Sequence, residues 1–361
     1  MQNNLLFSPP LQQKIETLKR RRRPISLSSL KFSSPLLLAP MSGICTAPFR
    51  LLMEDLGAGG TISELLSCHG INYASEKTLH MLRPDAREEN LGLQLFGEDA
   101  QSMARAAKTA EQTGPKFIDI NMGCPVKKVV SKGAGSALLK NPTSLGKFFG
   151  HIRSAISIPL TVKIRTGWDE NSINAMEVIH IAKQEGLDFV AIHGRTRAQQ
   201  YKGRANWELL ETLAQDSPLP LIGNGDLHNY QQVRSRMLNT KCQGLMLGRG
   251  PLRLPFIFLE AYLNEGEVSP FTPADYFEVL NRYAHYLQEH SRLERVVEVQ
   301  IKKHAVWMAG GFPYSAQFRG QIFESKGVKN ILHACQEFFL SLPQMTKEIH
   351  FDESFMAGGH G

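Results

Sequence analysis

Residues 219–250 read LPLIGNGDLHNYQQVRSRMLNTKCQGLMLGRG. An apolar run, a Gly-rich turn, a polar stretch with helical spacing and a second apolar run with its own Gly-rich turn follow one another. This is the order of a βα unit, in which a buried parallel strand leads through a short turn into a helix that covers the sheet. The stretch therefore predicts a parallel α/β fold.

The same alternation extends over residues 36–264. Eight Val-, Ile- and Leu-rich runs each precede a polar or Gly-rich turn and a helical pattern, and these runs are residues 36–39, 61–63, 92–96, 117–121, 160–164, 189–193, 219–222 and 244–247. Eight such units favour a closed (β/α)₈ TIM barrel, which takes about 250 residues. The alternative is an open doubly wound sheet, but no G-x-G-x-x-G follows the first run, as that fold typically requires.

We predict four parts of the chain. Residues 1–33 form a basic flexible leader, because residues 1–50 hold one acid, Glu16, against eight Lys or Arg, including a run over residues 19–23. Residues 34–264 form the barrel. Residues 270–345 form a small helical domain, because a turn-rich stretch follows Asn264 and helical spacing then dominates. Residues 346–361 form a flexible tail.

Composition narrows the class of protein. With 42% hydrophobic and 21% charged residues, the 361-residue chain is neither a disordered segment nor a fibrous repeat. Its net charge of +7 and pI near 9.1 make polyanions plausible partners. Five scattered cysteines without Cys-x-x-Cys predict a reducing cytoplasm and no zinc site, and the apolar runs are too short to span a membrane. No protein partner is inferred.

Candidate site residues are found where the strands are predicted to end, since TIM-barrel active sites lie at the C-terminal ends of the strands. Polar or small residues follow seven of the eight runs, and they are Met41 and Ser42, Gln94, Asn121 to Cys124, Lys163 and Arg165, His193 and Arg195, Asn224 to Asp226, and Gly248 to Gly250.

The last two turns favour a phosphate cradle. They follow strands seven and eight, where barrels commonly bind phosphate through backbone N–H groups and a helix N-terminus, and Arg249 adds positive charge. Lys163 would place a cation in the barrel mouth, where it can offset the negative charge of a reduced flavin, and Gln94 offers donors and an acceptor to the polar edge of such a ring. Ordinary tight turns and structural polar residues are the alternative.

Cys124 lies in the loop Asn-Met-Gly-Cys-Pro after the fourth run. A thiol near its reference pKa of about 8.5 is mostly protonated at neutral pH and can serve as a general acid. The alternative is a small buried hydrophobic residue, which is how we interpret Cys45, Cys68, Cys242 and Cys335.

The helical segment has two faces. Arg292, Arg295, Lys302 and Lys303 fall near one face, whereas Leu293, Val297, Ile301, Ala305 and Met308 fall on another. The basic face is either a solvated surface opposite a core or a contact surface for a polyanion.

The motifs together resemble those of a bacterial tRNA-dihydrouridine synthase, closest to the B type, over residues 36–345. The motifs that carry the resemblance are Pro40-Met-Ser-Gly, Gln94-Leu-Phe-Gly, Asn121-Met-Gly-Cys-Pro-Val-Lys-Lys-Val, Lys163-Ile-Arg-Thr-Gly-Trp, His193-Gly-Arg-Thr, Asn224-Gly-Asp and Gly248-Arg, with Lys303-His304 and Trp307 in the helical segment. One motif alone would be weak, but seven in register along a barrel are specific.

The resemblance implies an FMN enzyme that is reduced by NADPH and then reduces the C5=C6 bond of a D-loop uridine in tRNA, with Cys124 protonating C5. It implies FMN contacts from Pro40, Met41, Ser42, Gln94, Lys163, His193, Asn224, Gly225, Asp226, Gly248 and Arg249. It implies substrate or tRNA contacts from Asn121, Arg195, Lys127 and Lys128, and makes Arg295, Lys302 and Lys303 candidates in a tRNA-binding helical domain.

Two alternatives remain. One is an FMN barrel that acts on a free pyrimidine, such as a dihydroorotate dehydrogenase, and the other is an RNA-binding barrel without catalysis. The basic helical segment argues against the first, and Cys124 with the glycine turns argues against the second.

Overall fold

A closed parallel barrel and a cluster of helices make up the protein, as seen in a computed structural model that describes residues 7–344 and Lys347. The strands of this part are β1 (Ile25–Leu27), β2 (Leu30–Phe32), β3 (Leu36–Leu38), β4 (Gly60–Ile62), β5 (Leu66–Ser67), β6 (Leu91–Phe96), β7 (Phe117–Met122), β8 (Leu160–Arg165), β9 (Val190–His193), β10 (Leu221–Asn224) and β11 (Gly244–Leu247). Parallel pairing runs from β3 through β4 and β6 to β11 and back to β3, and β5 extends the edge of β6. The predicted TIM barrel is confirmed.

Helices cover the outside of the barrel and follow it in the chain. They are α1 (Pro9–Lys19), α2 (Ala47–Asp55), α3 (Cys68–Asn72), α4 (Glu76–Met81), α5 (Ala100–Glu111), α6 (Lys127–Val130), α7 (Leu145–Ala155), α8 (Ala175–Gln184), α9 (Trp207–Asp216), α10 (Tyr230–Asn239), α11 (Gly250–Arg253), α12 (Ile257–Glu260), α13 (Pro273–His290), α14 (Glu294–Ala309), α15 (Ser315–Glu324) and α16 (Val328–Ser341). None of these helices is both long and apolar enough to cross a bilayer.

Alternation along the strands determines which side chains face the barrel interior. In β7 and β8 every residue is buried, but Ile118, Ile120, Val162 and Ile164 pack outward in the core beneath the helices. Since successive side chains of a strand point to opposite faces, the polar residues between them point inward. The interior of this parallel barrel therefore carries polar side chains near its C-terminal end.

The N-terminal end of the barrel is closed by aromatic side chains. The hairpin of β1 and β2 places Phe32 against Phe117 and Phe189, with ring centroids 5.8 to 6.3 Å apart in edge-to-face pairs. Gly92 makes room for this group, because a Cβ there would come within 2.2 Å of the Phe117 ring. These rings fill the barrel interior at the N-terminal ends of the strands, so its open end lies at their C-terminal ends.

The described part of the predicted flexible leader, residues 7–33, differs from that prediction. Residues 9–19 form α1, whose Leu11, Ile15 and Leu18 are buried in the same core as α12 and α13. The Lys14 ammonium also donates to Asp275 at 2.7 Å. The correction has a simple cause: the apolar spacing of four and three residues forms a helix stripe, which the neighbouring basic run obscured.

The C-terminal helices α13 to α16 share one continuous apolar core with α1, α2, β3 and β11. His304 of α14 is fully buried there, with its ring 4.4 Å from Tyr283 and 5.2 Å from Phe49 of α2. Burial lowers the pKa of His304 to about 4, so it is a neutral core residue. The division into a barrel and a separate helical domain remains a prediction.

The predicted tail, residues 346–361, lies outside the described residues except for Lys347. The ammonium of that residue donates to the carbonyl oxygens of Arg253 and Met308 at 2.7 and 2.6 Å, so this position contacts the folded core.

Replacing Ile15 with alanine tests the packing of α1. We expect Ile15→Ala to lower the free energy of unfolding by about 2 to 5 kcal/mol, because it leaves a cavity in a fully buried position. Denaturant unfolding measures the change, and Gln13→Ala, at an exposed position of the same helix, is the matched control. Equal stability of the two variants would show that residues 9–19 do not pack in solution.

Candidate functional site

A cleft of about 110 Å³ opens at the C-terminal ends of the barrel strands. It gathers nine of the eleven predicted cofactor-binding residues, namely Pro40, Met41, Lys163, His193, Asn224, Gly225, Asp226, Gly248 and Arg249. Ser42 instead lines a neighbouring groove, and Gln94 is fully buried below the cleft. Residues separated by about 200 positions in the chain therefore meet at one end of the barrel, as the strand-end rule predicts.

Lys163 supplies a cation to the floor of this cleft. Its side chain is 9% exposed and its ammonium donates to Asn224 Oδ1 at 3.2 Å, while Asn224 donates to the Met246 carbonyl at 2.7 Å. Burial and, secondarily, Arg165 lower the pKa of Lys163 to about 8, and Asp119 opposes this shift. An ammonium has three N–H groups, so Lys163 retains donors for an anionic ligand in the cleft.

Asp226 organises the cationic end of the cleft. Its carboxylate accepts two bonds of 2.9 Å from Arg195, and the Ala205 N–H donates to it at 2.7 Å. Burial acts to raise the pKa of Asp226, but hydrogen bonds from His228 and Arg195 outweigh it and hold that pKa well below its usual range. Arg249 lies 3.7 Å from the same carboxylate. One anion thus fixes three cationic or polar side chains around the turn.

The backbone of this end is open to a ligand at Gly248. A Cβ there would meet its neighbours only at 3.7 Å or more, so the turn leaves space beside Ala39 and Met41. The helix that follows, α11, has only four residues, so the predicted contribution of a helix N-terminus is small and side-chain charge carries more of the attraction. The donor set suits a ligand with a phosphate at one end and an electron-rich ring over Lys163.

His193 lies in the cleft as a neutral ring. Burial, followed by the cations Arg165, Lys163, Arg195 and Arg249, lowers its pKa well below the ordinary value. Arg195 donates to His193 Nε2 at 3.2 Å, which leaves the proton on Nδ1. His193 can therefore donate a hydrogen bond without adding charge.

Hydrogen bonds hold the Cys124 loop just after the end of β7, and Cys124 is not among the residues that line the cleft. The Cys124 N–H donates to Asn121 Oδ1 at 3.0 Å, and Ser136 Oγ donates to the Cys124 carbonyl at 2.9 Å. Cys124 is half-buried, whereas the other four cysteines are buried. Burial raises the pKa of the Cys124 thiol, so the thiol is protonated at neutral pH. This matches the general-acid interpretation.

Arg165 fixes a loop that sequence reasoning did not single out. One of its Nη atoms donates to the carbonyls of Thr196 and Gln200, both at 2.8 Å. Tyr201 follows, with its ring 5.6 Å from the Arg165 guanidinium and 5.3 Å from that of Arg249. Tyr201 lines the cleft although it lies eight residues beyond the end of β9, too far for the strand-end rule.

A groove of about 1710 Å³ separates the barrel mouth from the start of α14. Charged residues of both signs line it: the basic side chains are Lys77, Arg83, Lys128, Lys132 and Arg292, and the acidic side chains are Glu64, Glu76, Glu98 and Glu289. Lys127 is exposed at the start of α6 beside this groove.

The predicted contacts on α14 do not line this groove. Arg295 is exposed, Lys302 donates to the Phe323 carbonyl at 3.2 Å, and the Lys303 ammonium lies 5.3 Å from the Trp307 ring centroid. All three lie on α14, farther along the chain than Arg292. Among the described side chains no cluster of His, Cys, Asp and Glu could hold a metal ion.

Comparison with known proteins gives consistent matches. Residues 37–342 match the family described as Dihydrouridine synthase (Dus). The chain is 33% identical to "Probable tRNA-dihydrouridine synthase" of Rickettsia conorii, over 90% of this chain and 98% of that protein. It is 38% identical to "tRNA-dihydrouridine synthase B" of Pseudomonas putida, and the match covers 79% of this chain and 86% of that protein. It is 35% identical to "tRNA-dihydrouridine synthase B" of Pseudomonas aeruginosa, and this match covers 84% of this chain and 92% of that protein.

Similarity to solved structures concerns the fold alone. A 2-naphthoyl-CoA reductase complex matches with a TM-score of 0.54 at 12% identity, over 68% of this chain and 52% of that one. Histamine dehydrogenase from Rhizobium sp. 4-9 matches with a TM-score of 0.51 at 12% identity, over 74% of this chain and 51% of that one. The chain spans about half the length of both.

Proposed function

This chain belongs to the dihydrouridine synthase family and is an oxidoreductase, and we propose that it reduces the C5=C6 bond of a D-loop uridine in tRNA, using FMN that NADPH has reduced. The observation that supports the proposal is the pairing of a buried ammonium, Lys163, with a half-buried, protonated thiol, Cys124, at the C-terminal ends of two neighbouring strands. The cytoplasm, where a tRNA substrate would be met, is the proposed compartment.

FMN would occupy the cleft between Lys163 and Arg249. The phosphate would lie against the turns at Asn224 to Asp226 and at Gly248, near Arg249, and the ring would lie over Lys163 with Pro40, Met41 and His193 along its edges. Ser42 and Gln94 remain proposed FMN contacts, from the groove side and from the cleft floor. When bound and reduced, the flavin supplies the hydride that uridine C6 accepts.

Cys124 would complete the reduction by donating its thiol proton to C5. A hydride at C6 and a proton at C5 together add two hydrogens across the double bond, so the atoms balance. The thiolate left behind lies near Arg165 and Lys163, whose charges favour it against the burial that raises the pKa of the thiol. Asn121 holds the loop through the Cys124 N–H and would, with Arg195, face the substrate.

The tRNA would lie along the groove and the surface of α14. A volume of about 1710 Å³ far exceeds a pyrimidine ring, and the five cations of its lining can contact a phosphate backbone, whereas its four carboxylates would have to lie away from the phosphates. We propose that Lys127 and Lys128 contact the phosphate backbone of the tRNA at the barrel mouth. Arg295, Lys302 and Lys303 would contact it farther along α14. Bringing a uridine out of folded tRNA costs a few kcal/mol, which distributed phosphate contacts can offset. A free pyrimidine substrate, the alternative, would need none of this surface.

Cys124→Ala tests the division of labour between cofactor and thiol. We expect NADPH to reduce the bound flavin at the wild-type rate, while dihydrouridine formation in tRNA falls roughly 10²- to 10⁴-fold, because only the proton donor is lost. Stopped-flow absorbance follows the first step and nucleoside mass spectrometry the second. Cys335→Ala, a buried cysteine of α16, is the control. Wild-type product formation by Cys124→Ala would assign the proton to another group.

Charge reversal tests the RNA surface. We expect reversal of Lys128, Lys132 and Arg292 to Glu to weaken tRNA binding and to flatten its salt dependence, with a decrease of roughly two in the slope of log K against log salt. Reversal of Arg295, Lys302 and Lys303 should have a smaller effect in the same direction, because Lys302 and Lys303 are engaged at Phe323 and Trp307. Gel-shift titrations at several salt concentrations measure both.

FMN content is the control for each triple variant and should stay at the wild-type level. An unchanged affinity and slope in the Lys128, Lys132 and Arg292 variant would place the RNA on another surface.

A further inference from the structure

A polar layer lies inside the barrel directly beneath Lys163 and Asn121. It consists of Gln94, Asp119 and Thr161, which are partners in register on the neighbouring strands β6, β7 and β8, and all three are fully buried. Asp119 is central, because Thr161 Oγ1 donates to one of its oxygens and Gln94 Nε2 to the other, both at 2.6 Å. The layer above it holds Asn121 and Lys163, which are also partners in register.

The hydrogen bonds continue from this layer to the Cys124 loop. Asn121 Nδ2 donates to Gln94 Oε1 at 2.9 Å, and the Cys124 N–H donates to Asn121 Oδ1 at 3.0 Å. Two side-chain amides therefore connect a buried carboxylate with the backbone of the proposed proton donor.

An ionised carboxylate determines the direction of this chain. The oxygen and nitrogen ends of an amide are nearly equal in shape, so a partner of one fixed type decides which end faces it. Ionised Asp119 can only accept, so Gln94 must turn its NH₂ group toward it and its oxygen toward Asn121. Asn121 must then turn its NH₂ group toward Gln94 and its oxygen toward the Cys124 N–H. Reversal at any amide would leave two donors or two acceptors in contact.

Asp119 also acts on Lys163. Among the charged groups that influence Lys163, Arg165 lowers the pKa of the ammonium, whereas Asp119 raises it and Cys124 raises it to a lesser extent. Asp119 thus helps to keep a cation in a site where burial opposes charge.

We infer that Asp119 is a positioning residue for the proposed reaction: its carboxylate orients Gln94, Asn121 and the Cys124 loop. This inference rests on the proposed function for the reaction it serves. Asp119 touches neither the cleft nor the groove, so it acts through these other residues.

The pH dependence of the reaction distinguishes this role from simple packing. Burial raises the pKa of Asp119 to about 6, against hydrogen bonds from Thr161 and Gln94 and the charge of Lys163. Below that pH the carboxyl carries a proton and becomes a donor as well as an acceptor, so it no longer determines which end of Gln94 faces it, and the rate should fall. The rate should also fall above about pH 8 as Lys163 loses its proton. The other groups facing this layer are Arg165, Cys124 and His193. Burial lowers the pKa of Arg165 to about 10, raises that of the Cys124 thiol and lowers that of His193 well below its ordinary value.

Asp119→Asn, which is equal in size, is the direct test. We expect the single-turnover rate of dihydrouridine formation to fall roughly tenfold to a hundredfold at the pH optimum, with KM for tRNA unchanged. The fall in rate at low pH (the acid limb of the pH–rate profile) should disappear. The fall in rate at high pH (the alkaline limb) should move to lower pH, because Lys163 loses a neighbouring anion. The affinity of the flavin-free protein for FMN can be measured by flavin fluorescence. As the pH rises, this affinity should begin to fall at a lower pH in Asp119→Asn than in the wild type.

Two further variants keep the inference open to contradiction. Thr161→Val removes one hydrogen bond that lowers the pKa of Asp119, so the acid limb of this variant's pH–rate profile should move to higher pH. This test applies even if Asp119→Asn does not fold. Glu54→Gln is the control, because Glu54 is half-buried and also accepts from a strand threonine, Thr61, at 3.2 Å, but on the outside of the barrel. Its profile should equal that of the wild type.

Three results would overturn the inference: wild-type pH profiles in Asp119→Asn, an unmoved acid limb in Thr161→Val, or equal shifts in Glu54→Gln. A wild-type protein that binds no FMN or leaves tRNA unreduced would instead contradict the proposed function, so the two failures are distinguishable.

Discussion

A lysine ammonium buried at the open end of a parallel barrel is the constraint on which the site depends. Moving such a charge out of water costs several kcal/mol unless neighbours compensate it. Lys163 is compensated by the Asn224 oxygen beside it and by the Asp119 carboxylate in the layer below, and it faces a cleft whose far end is also cationic. Such a site suits an anionic ligand, which in the proposed function is a reduced flavin with its phosphate.

The rest of the fold serves this arrangement. Phe32, Phe117 and Phe189 fill the lower barrel, so polar side chains are confined to the upper layers, where hydrogen bonds can satisfy them. The core shared by α1, α2 and α13 then fixes the C-terminal helices beside the barrel mouth. A groove lined by five basic and four acidic side chains results from this packing, and it lies beside the barrel mouth.

The barrel and most of the cleft could be predicted from the sequence because both follow from simple periodicities. Apolar runs mark buried strands, and strand ends converge on one face, so Lys163, His193 and Asn224 were predicted to meet and do so. Asp119 was missed because it lies within a strand rather than at its end, and Tyr201 because Arg165 brings it back from a distant loop. The prediction of a flexible leader missed helix α1, because it gave the neighbouring basic run more weight than the helical spacing of Leu11, Ile15 and Leu18. Spacing on α14 likewise could not indicate which face turns toward the groove.

The most direct test of the central claim is anaerobic single turnover. Protein loaded with FMN and reduced by NADPH is mixed with unmodified tRNA transcript, and flavin absorbance and dihydrouridine content are followed together. The account predicts that the flavin is reoxidised by tRNA with one dihydrouridine formed per flavin, and that free uridine at the same concentration leaves it reduced. Reoxidation by a free pyrimidine but not by tRNA would contradict it.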